Sequence, residues 1–155
     1  MNTIQLSYVC DSSVNETDSI QTSKQAAQIF RESFRKGEIS MQEYFKALFL
    51  RTDGRVLGIH TISMGGMRST VVDAKVLFSA ALLAHAETIV LCHNHPSGDK
   101  RPSPQDLRLT KKLADGARLL DLTVCEHIIL TEESYYSMCD NGQVEADFYH
   151  PIHKD

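Results

Sequence analysis

The chain has 155 residues, of which 42% are hydrophobic, a length and composition typical of a single domain built around one core. Its 16 lysines and arginines and 20 aspartates and glutamates leave a formal net charge of -4. The summed field therefore repels a phosphate backbone, and binding of nucleic acid would need a local basic patch. A nucleic-acid partner is thus only weakly supported.

The cysteines and the apolar runs indicate the compartment. None of the cysteines forms a Cys-x-x-Cys pair, and the N-terminus lacks the charged-then-apolar pattern of a secretory signal. No apolar run approaches the roughly 18 residues that predict a membrane span. We therefore expect a reduced, soluble, cytoplasmic protein without a membrane partner. The four cysteines are Cys10, Cys92, Cys125 and Cys139.

The first half of the chain predicts an edge strand, a helix and a hairpin. The apolar run Ile4–Cys10 precedes a polar stretch, which is typical of a strand followed by a loop. Apolar residues at helical spacing then predict a helix from about Ser23 to Lys36. The segment from Glu43 to Leu50 and the segment from Val56 to Ser63 flank an Asp53-Gly54 turn, so we expect two antiparallel strands.

The second half alternates helices and strands. A helix is predicted from Ala74 to about Ala86, and because apolar residues nearly encircle it, we expect it to be packed on most sides. Thr88 to Cys92 is typical of a short buried strand that ends in a proline-rich loop. The remaining predictions are a helix from Pro104 to about Leu120, a strand from Thr123 to Leu130 and a short turn around Ser134 to Met138.

The chemistry-bearing residues cluster where the strand that begins at Thr88 ends. His93 and His95 are two residues apart, so strand alternation places both imidazoles on one side while Asn94 points away. Asp106 follows at the start of the next helix and can return to the same place. The pattern therefore predicts a metal site formed by two histidines and an aspartate.

A site of this type favours catalysis. Three nitrogen or oxygen ligands with one open position are typical of catalytic zinc, whereas structural zinc is usually closed by four ligands and rich in cysteine. Zinc lowers the pKa of water to about 7 and polarises a carbonyl, so hydrolysis is the expected chemistry. A general base is then required.

More ordinary interpretations exist for each residue. Ser103 and Asp106 also form a good helix start, with serine at the N-cap and an acid three residues later. A lone histidine at a strand end is more often a hydrogen-bonded structural residue. Two histidines on one face, followed by the acid, favour the metal site over these alternatives.

The same residues resemble a known family. His93-x-His95, seven intervening residues and Ser103-x-x-Asp106 match the motif of JAB/MPN metalloproteases. The run His-Asn-His-Pro-Ser-Gly and the segments 121–127 and 134–137 resemble the RadC branch of that family. The resemblance covers about 22–144, which we take as the core of one domain over 1–155. Residues 1–21 are then an N-terminal extension and 145–155 a tail.

The resemblance implies an α/β fold similar to that of cytidine deaminases, with a mixed sheet flanked by helices. It also implies that Glu43, before the first hairpin, acts as proton shuttle, first as general base and then as general acid. Ser103 would steady the oxyanion through its hydroxyl. Glu38, Glu87 and Glu126 are weaker candidates for the shuttle.

Three features neighbour the predicted metal site. Cys92 adjoins His93 but faces the other way, so we expect it to pack in the core. His127 is a candidate for supporting a ligand from behind. A basic cluster beside the site can attract an acidic substrate or a phosphate backbone, although a solvated helix face is the ordinary explanation. The cluster consists of Lys100, Arg101, Arg108, Lys111 and Lys112.

The leading hypothesis is a zinc-dependent metalloprotease or isopeptidase-like hydrolase that acts on a peptide or protein. One alternative is a JAB/MPN domain that serves as an interaction module without turnover. Another is an accessory factor in DNA repair or mobile-element transfer. The acidic charge does not favour the DNA role, and neither does the lack of room for the helix-hairpin-helix module of longer RadC proteins.

Overall fold

The computed structural model describes residues 2–3, 19–65 and 71–144. The predicted strand at 4–10 and the tail at 145–155 lie outside these residues. Within the described part, the elements are α1 (Ser23–Glu32), α2 (Glu38–Met41), β1 (Tyr44–Leu50), β2 (Val56–Met64), α3 (Ala74–Leu83), β3 (Thr88–Asn94), α4 (Pro104–Arg118), β4 (Thr123–Leu130) and β5 (Tyr135–Ser137).

The strands form one mixed sheet in the order β2-β1-β3-β4-β5. Strands β3 and β4 are parallel, and the other neighbouring pairs are antiparallel. A parallel pair needs a crossover connection, which α4 supplies. The expected α/β fold, with a mixed sheet flanked by helices, is confirmed.

The sheet buries both of its faces. Strands β1 and β3 are buried along almost their whole length, as expected for central strands covered on two sides. Helices α3 and α4 pack on one face, where Leu77 and Leu113 meet Leu91. Helix α1 covers the other face, where Phe30 lies in the same cluster as Cys92. Each residue of β3 therefore faces either α3 and α4 or α1.

Helix α1 begins as predicted but ends early. Thr22 and Gln25 form a capping box at its start. The helix ends at Glu32 rather than Lys36, because the Lys46 ammonium donates to both the carbonyl and the hydroxyl of Ser33, each at 3.0 Å. A cation at the carboxyl end of a helix satisfies carbonyls that lack helical partners. The chain then turns into the short, unpredicted helix α2.

Two other predictions need correction. Helix α3 is not packed on most sides: Leu77 and Ala81 are buried, but Leu82 is 50% exposed. The helix lies beside the edge strand β2, and a groove of about 540 Å³ separates them. The predicted turn near Ser134 contains strand β5, whose Tyr136 pairs with Ile129 of β4.

Smaller differences concern helix ends. Helix α3 ends at Leu83 instead of Ala86, and α4 ends at Arg118 instead of Leu120. Strand β3 continues to Asn94, two residues beyond the prediction, while β4 has the predicted bounds. Among the described helices, none is both long and apolar enough to cross a bilayer.

A buried carboxyl group anchors the chain after β5. Glu126 has no exposed surface, and it accepts hydrogen bonds from the backbone of His127 and Cys139 and from the hydroxyl of Ser137. Burial raises the pKa of Glu126 to about 7, although these three hydrogen bonds oppose the rise. The carboxyl group thus holds the turn that follows β5 against β4.

This pKa predicts a pH-dependent stability. Because the folded-state pKa of Glu126, about 7, exceeds the ordinary value of 4.5, the folded state retains a proton that the unfolded chain has lost. The unfolding free energy should therefore fall, by about 2 kcal/mol, as pH rises from about 5 to 8. Glu126→Gln should remove this contribution in urea titrations, while Glu132→Gln, at an exposed site, should not. Equal pH slopes in all three proteins would contradict the assignment.

Candidate metal centre

Three side chains converge at the carboxyl end of β3. The Nε2 atoms of His93 and His95 are 2.8 Å apart, and they lie 3.3 and 3.4 Å from the carboxylate oxygens of Asp106. Ligand atoms bound at about 2.0–2.1 Å to one tetrahedral zinc ion are roughly 3.3 Å apart. The three predicted ligands are therefore brought together in an arrangement that can hold a metal ion.

Strand alternation and the helix start produce this convergence. His93 lies in β3 with its side chain on the α4 face, and His95 follows the strand on the same side. Asp106 lies in the first turn of α4, where its carboxylate reaches both imidazoles. His93 is almost completely buried, whereas the side chains of His95 and Asp106 are 18% and 16% exposed. The site is thus closed from behind and open towards solvent on one side.

The proton on His95 has a defined position. Its Nδ1 atom lies 2.6 Å from the backbone carbonyl of Asp99. A carbonyl oxygen can only accept, so Nδ1 donates, and in the neutral imidazole Nε2 carries the lone pair. Burial opposes protonation of His95, but hydrogen bonds to Asp106 and Asp99 outweigh it and raise its pKa. Burial raises the pKa of Asp106, but the two histidines more than offset this and hold it well below its usual range.

Asp106 combines a helix-capping role with a position that faces both histidines. The Ser103 amide donates to the carboxylate of Asp106 at 2.8 Å, and the Asp106 amide donates to the Ser103 hydroxyl at 3.1 Å. Ser103 and Asp106 therefore form the helix cap that their sequence pattern also predicts. The cap fixes the Asp106 side chain while both of its oxygens remain within 3.4 Å of the histidines.

Glu43 acts on the site through its charge. It immediately precedes β1 and is half-buried, and its charge contributes to raising the pKa of His95. The other glutamates considered for its role are engaged or distant. Glu38 accepts a hydrogen bond from the hydroxyl of Tyr44. Glu126 lies on the opposite face of the sheet, and Glu87 precedes the far end of β3.

Asn94 holds the backbone on both sides of Glu43. Its side-chain oxygen accepts from the Tyr44 amide at 2.8 Å, and its amide group donates to the carbonyls of Gln42 and Ile39, each at 2.7 Å. Strand alternation predicts that Asn94 points away from the histidines but does not reveal this role. The sequence feature that could have indicated this role is a polar residue in a buried strand between two candidate ligands.

Behind His93 lies a layer of buried side chains. The Nδ1 atom of His93 is 2.7 Å from Nε2 of His127, as expected for a residue that supports a ligand. His127 has no exposed surface, and burial lowers its pKa well below the usual value. Its Nδ1 atom is 2.6 Å from the hydroxyl of Thr110, a residue for which the sequence predicts no role at the site. The Phe45 ring stacks on His93 and meets the edge of His127.

Cys92 packs away from the metal centre, as predicted. It is fully buried in the cluster beneath α1, and burial raises the pKa of its thiol.

The basic cluster is partly engaged with other groups. Arg101 pairs with Asp99, and Lys111 pairs with Asp115. Lys100 donates to the Ser134 hydroxyl at 2.9 Å. These contacts reduce the free positive charge beside the site, so they add no support for a nucleic-acid partner.

Comparison with known proteins identifies the family. The RadC-like JAB domain matches residues 20–143. The chain belongs to this family. A UPF0758 protein of Flavobacterium johnsoniae is 39% identical to this RadC-like domain over 106 residues, which cover 68% of the chain and 46% of that protein. A UPF0758 protein of Clostridium acetobutylicum is 33% identical over 127 residues, which cover 82% and 54%. The RadC-like chain therefore spans about half the length of the curated relatives it matches.

The ligand geometry predicts metal uptake by the RadC-like domain. The protein should bind about one zinc ion per chain, and His95→Ala should remove most of it because only two ligands remain. Cys92→Ser should retain normal zinc content, since the Cys92 side chain lies on the opposite face of the sheet. Elemental analysis of the purified proteins, together with circular dichroism, tests both. Full zinc in His95→Ala, or a large loss in Cys92→Ser, would show that the ligand assignment is wrong.

The contacts of Asn94 predict a stability effect. Asn94→Asp keeps the acceptor for the Tyr44 amide but cannot donate to the carbonyls of Ile39 and Gln42. We expect the free energy of unfolding to fall by about 2–4 kcal/mol, because buried carbonyls lose their partners and face a carboxylate. Urea unfolding measures this, with the same change at the exposed Asn141 as control. A similar small loss in both variants would argue against the role of Asn94.

Proposed function

We propose that this domain is a cytoplasmic, zinc-dependent metallohydrolase that cleaves a peptide or isopeptide bond in a peptide or protein substrate. The observation that carries the proposal is the convergence of His93, His95 and Asp106 at a partly open position beside Glu43. The chain spans about half the length of its curated relatives, so an activity of a full-length relative is assigned to it only as part of this proposal.

The donor set supports zinc. Two imidazole nitrogens and one carboxylate are ligands that zinc prefers, and three protein ligands leave a position for water or substrate. When bound, zinc supplies a Lewis acid that polarises a carbonyl and makes water more acidic. His93 and His95 offer nitrogen atoms, and Asp106 contributes the negative charge that its depressed pKa maintains.

Glu43 is the proposed proton shuttle. A carboxylate at the edge of the site can take a proton from the attacking water and later pass it to the departing amine. Glu43 does not lie among the three grouped ligands, so its carboxylate remains available for this transfer. The hydrogen bonds of Asn94 to Gln42 and Tyr44 limit the movement of the intervening Glu43 backbone. This support favours a defined distance between the base and the metal site.

Ser103 is the proposed oxyanion donor. Its hydroxyl oxygen accepts the Asp106 amide, and a hydroxyl that accepts still has its own proton to donate. As the N-cap of α4, Ser103 also stands at the positive end of a helix of 15 residues. Both features favour negative charge developing on a substrate carbonyl oxygen near this residue.

The two alternative functions, an interaction module and an accessory DNA factor, require different features of the protein. An interaction module without turnover needs neither a base nor an open metal position, so the presence of Glu43 beside the three ligands favours the enzyme. An accessory role in DNA repair or mobile-element transfer needs affinity for nucleic acid, which the net charge of -4 does not favour. A salt-dependent DNA-binding assay separates that role from hydrolysis.

Glu43→Gln should abolish most activity without removing zinc. The change preserves size but eliminates base strength, so hydrolysis should fall by roughly 10²–10⁴-fold. The substrate is first found by cleavage of a peptide library, with Asp106→Ala as the metal-free control. Glu38→Gln makes the same change on a neighbouring glutamate that bonds to Tyr44, and it should retain activity within a few-fold.

The outcomes separate enzyme from module. Activity of Glu43→Gln within a few-fold of wild type would remove Glu43 from the mechanism. If zinc-loaded wild type cleaves no library peptide, and wild type and Glu43→Gln capture the same cellular protein equally, the interaction module is the better description.

A further inference from the structure

We propose that His127 and Thr110 are positioning residues that set the tautomer and orientation of His93 through a chain of hydrogen bonds running from one metal ligand to another. The inference rests on the proposed function, since it concerns how the metal site is prepared. It assigns duties to two side chains that do not themselves contact the proposed ion.

The chain of contacts is short at every step. The Nδ1 atom of His93 lies 2.7 Å from Nε2 of His127, whose Nδ1 lies 2.6 Å from the hydroxyl of Thr110. That hydroxyl donates at 2.7 Å to the backbone carbonyl of Asp106. The carboxylate of the same Asp106 lies 3.3 Å from Nε2 of His93, which closes a ring. Strand β3, strand β4 and helix α4 are therefore joined through the site.

The direction of each hydrogen bond in this chain depends on which group accepts the single hydroxyl proton of Thr110. The Asp106 carbonyl has no proton, so the single hydroxyl proton of Thr110 is directed to it, as helical threonines commonly do four residues back. The sulfur of Met138, at 3.4 Å, is a weaker alternative acceptor for that same proton. A Thr110 hydroxyl that donates to either of these two groups can only accept from His127, so in the proposed arrangement Nδ1 of His127 carries a proton.

That proton determines the state of His93. A fully buried imidazole favours the uncharged form, which carries one proton only. With the proton on Nδ1, Nε2 of His127 is an acceptor, and His93 must donate to it from its own Nδ1. In the neutral ring of His93, the remaining nitrogen, Nε2, then carries the lone pair that a metal ion held with His95 and Asp106 would take. The opposite tautomer would place an N–H where a metal bond is required.

Burial makes this arrangement specific. His93, His127 and Thr110 are 2%, 0% and 3% exposed, so water does not compete for their hydrogen bonds. Phe45 stacks almost parallel to the His93 ring, at 8° between planes, and restricts its rotation. His95 differs, since its Nδ1 bonds to the Asp99 carbonyl in an exposed loop. His93 and His95 are thus oriented by different hydrogen bonds.

A merely structural role for Thr110 makes the opposite prediction from the proposal. Thr110→Val keeps the volume of the side chain and removes the hydroxyl, whereas Thr110→Ser keeps the hydroxyl and removes a methyl group. If Thr110 only fills space, valine should be the better replacement. If it accepts the proton of His127, serine should be the better one.

The first experiment compares zinc affinities by competition with a chromophoric chelator. Thr110→Val should bind zinc about 10–100-fold more weakly than wild type, as typical for loss of a group behind a ligand. Thr110→Ser should stay within about 3-fold of wild type, because its hydroxyl is retained. Leu113→Ala, on the same helix and buried, measures the effect of lost stability alone. Affinity of the valine variant equal to or above that of the serine variant would overturn the proposal.

The second experiment needs no substitution. Two-bond ¹H–¹⁵N correlations of the imidazoles in the wild-type protein should show His127 and His93 protonated at Nδ1, both without zinc and with it. A proton on Nε2 of His127 would overturn the positioning role, even in a protein that binds zinc. If the wild-type protein takes up no zinc but shows the expected tautomers, the proposed function is wrong. The inference about His127 and Thr110 is then still supported. If Thr110→Val fails to fold, the same wild-type spectra still test the positioning role of His127 and Thr110.

Discussion

The alternation of side chains at the carboxyl end of β3 is the constraint on which the site depends. Because successive residues of a strand face opposite sides, His93 and His95 meet Asp106 on the α4 side, while Asn94 reaches the backbone around Glu43 on the other. The register of β3 is fixed, since His93 pairs with Phe45 of β1 and with Ile129 of β4, and a shift by one residue would exchange the two faces of the strand.

Asp106 shows how a structural and a chemical requirement are met by one residue. A carboxylate in the first turn of a helix is stabilised by the cap and by the positive end of the helix, contributions of about 1 kcal/mol each. The amide of Ser103 and the nearby histidines keep the group ionised although it is largely buried. The energy that starts α4 therefore also maintains the negative charge that a metal ion would need.

Local patterns predicted most of the elements, and tertiary contacts explain the failures. The start of α1 at Ser23 and the bounds of β4 depend on neighbouring residues and were correct. The early end of α1 depends on Lys46, which lies on a strand that the helix only meets in the folded chain. Helix α3 has an apolar sequence on most sides, but its position beside the edge strand β2 leaves Leu82 exposed.

The sequence by itself determined the helix cap and the candidate ligand set, because His93, His95 and Asp106 lie within one strand-loop-helix segment whose spacing is visible along the chain. His127 was already a candidate for a supporting residue, but only the tertiary structure decided which groups lie behind and beside that set. His127 reaches His93 from 34 residues away, and Asn94 reaches the Tyr44 amide across 50. Such contacts arise from strand pairing and crossover connections, which no local periodicity encodes.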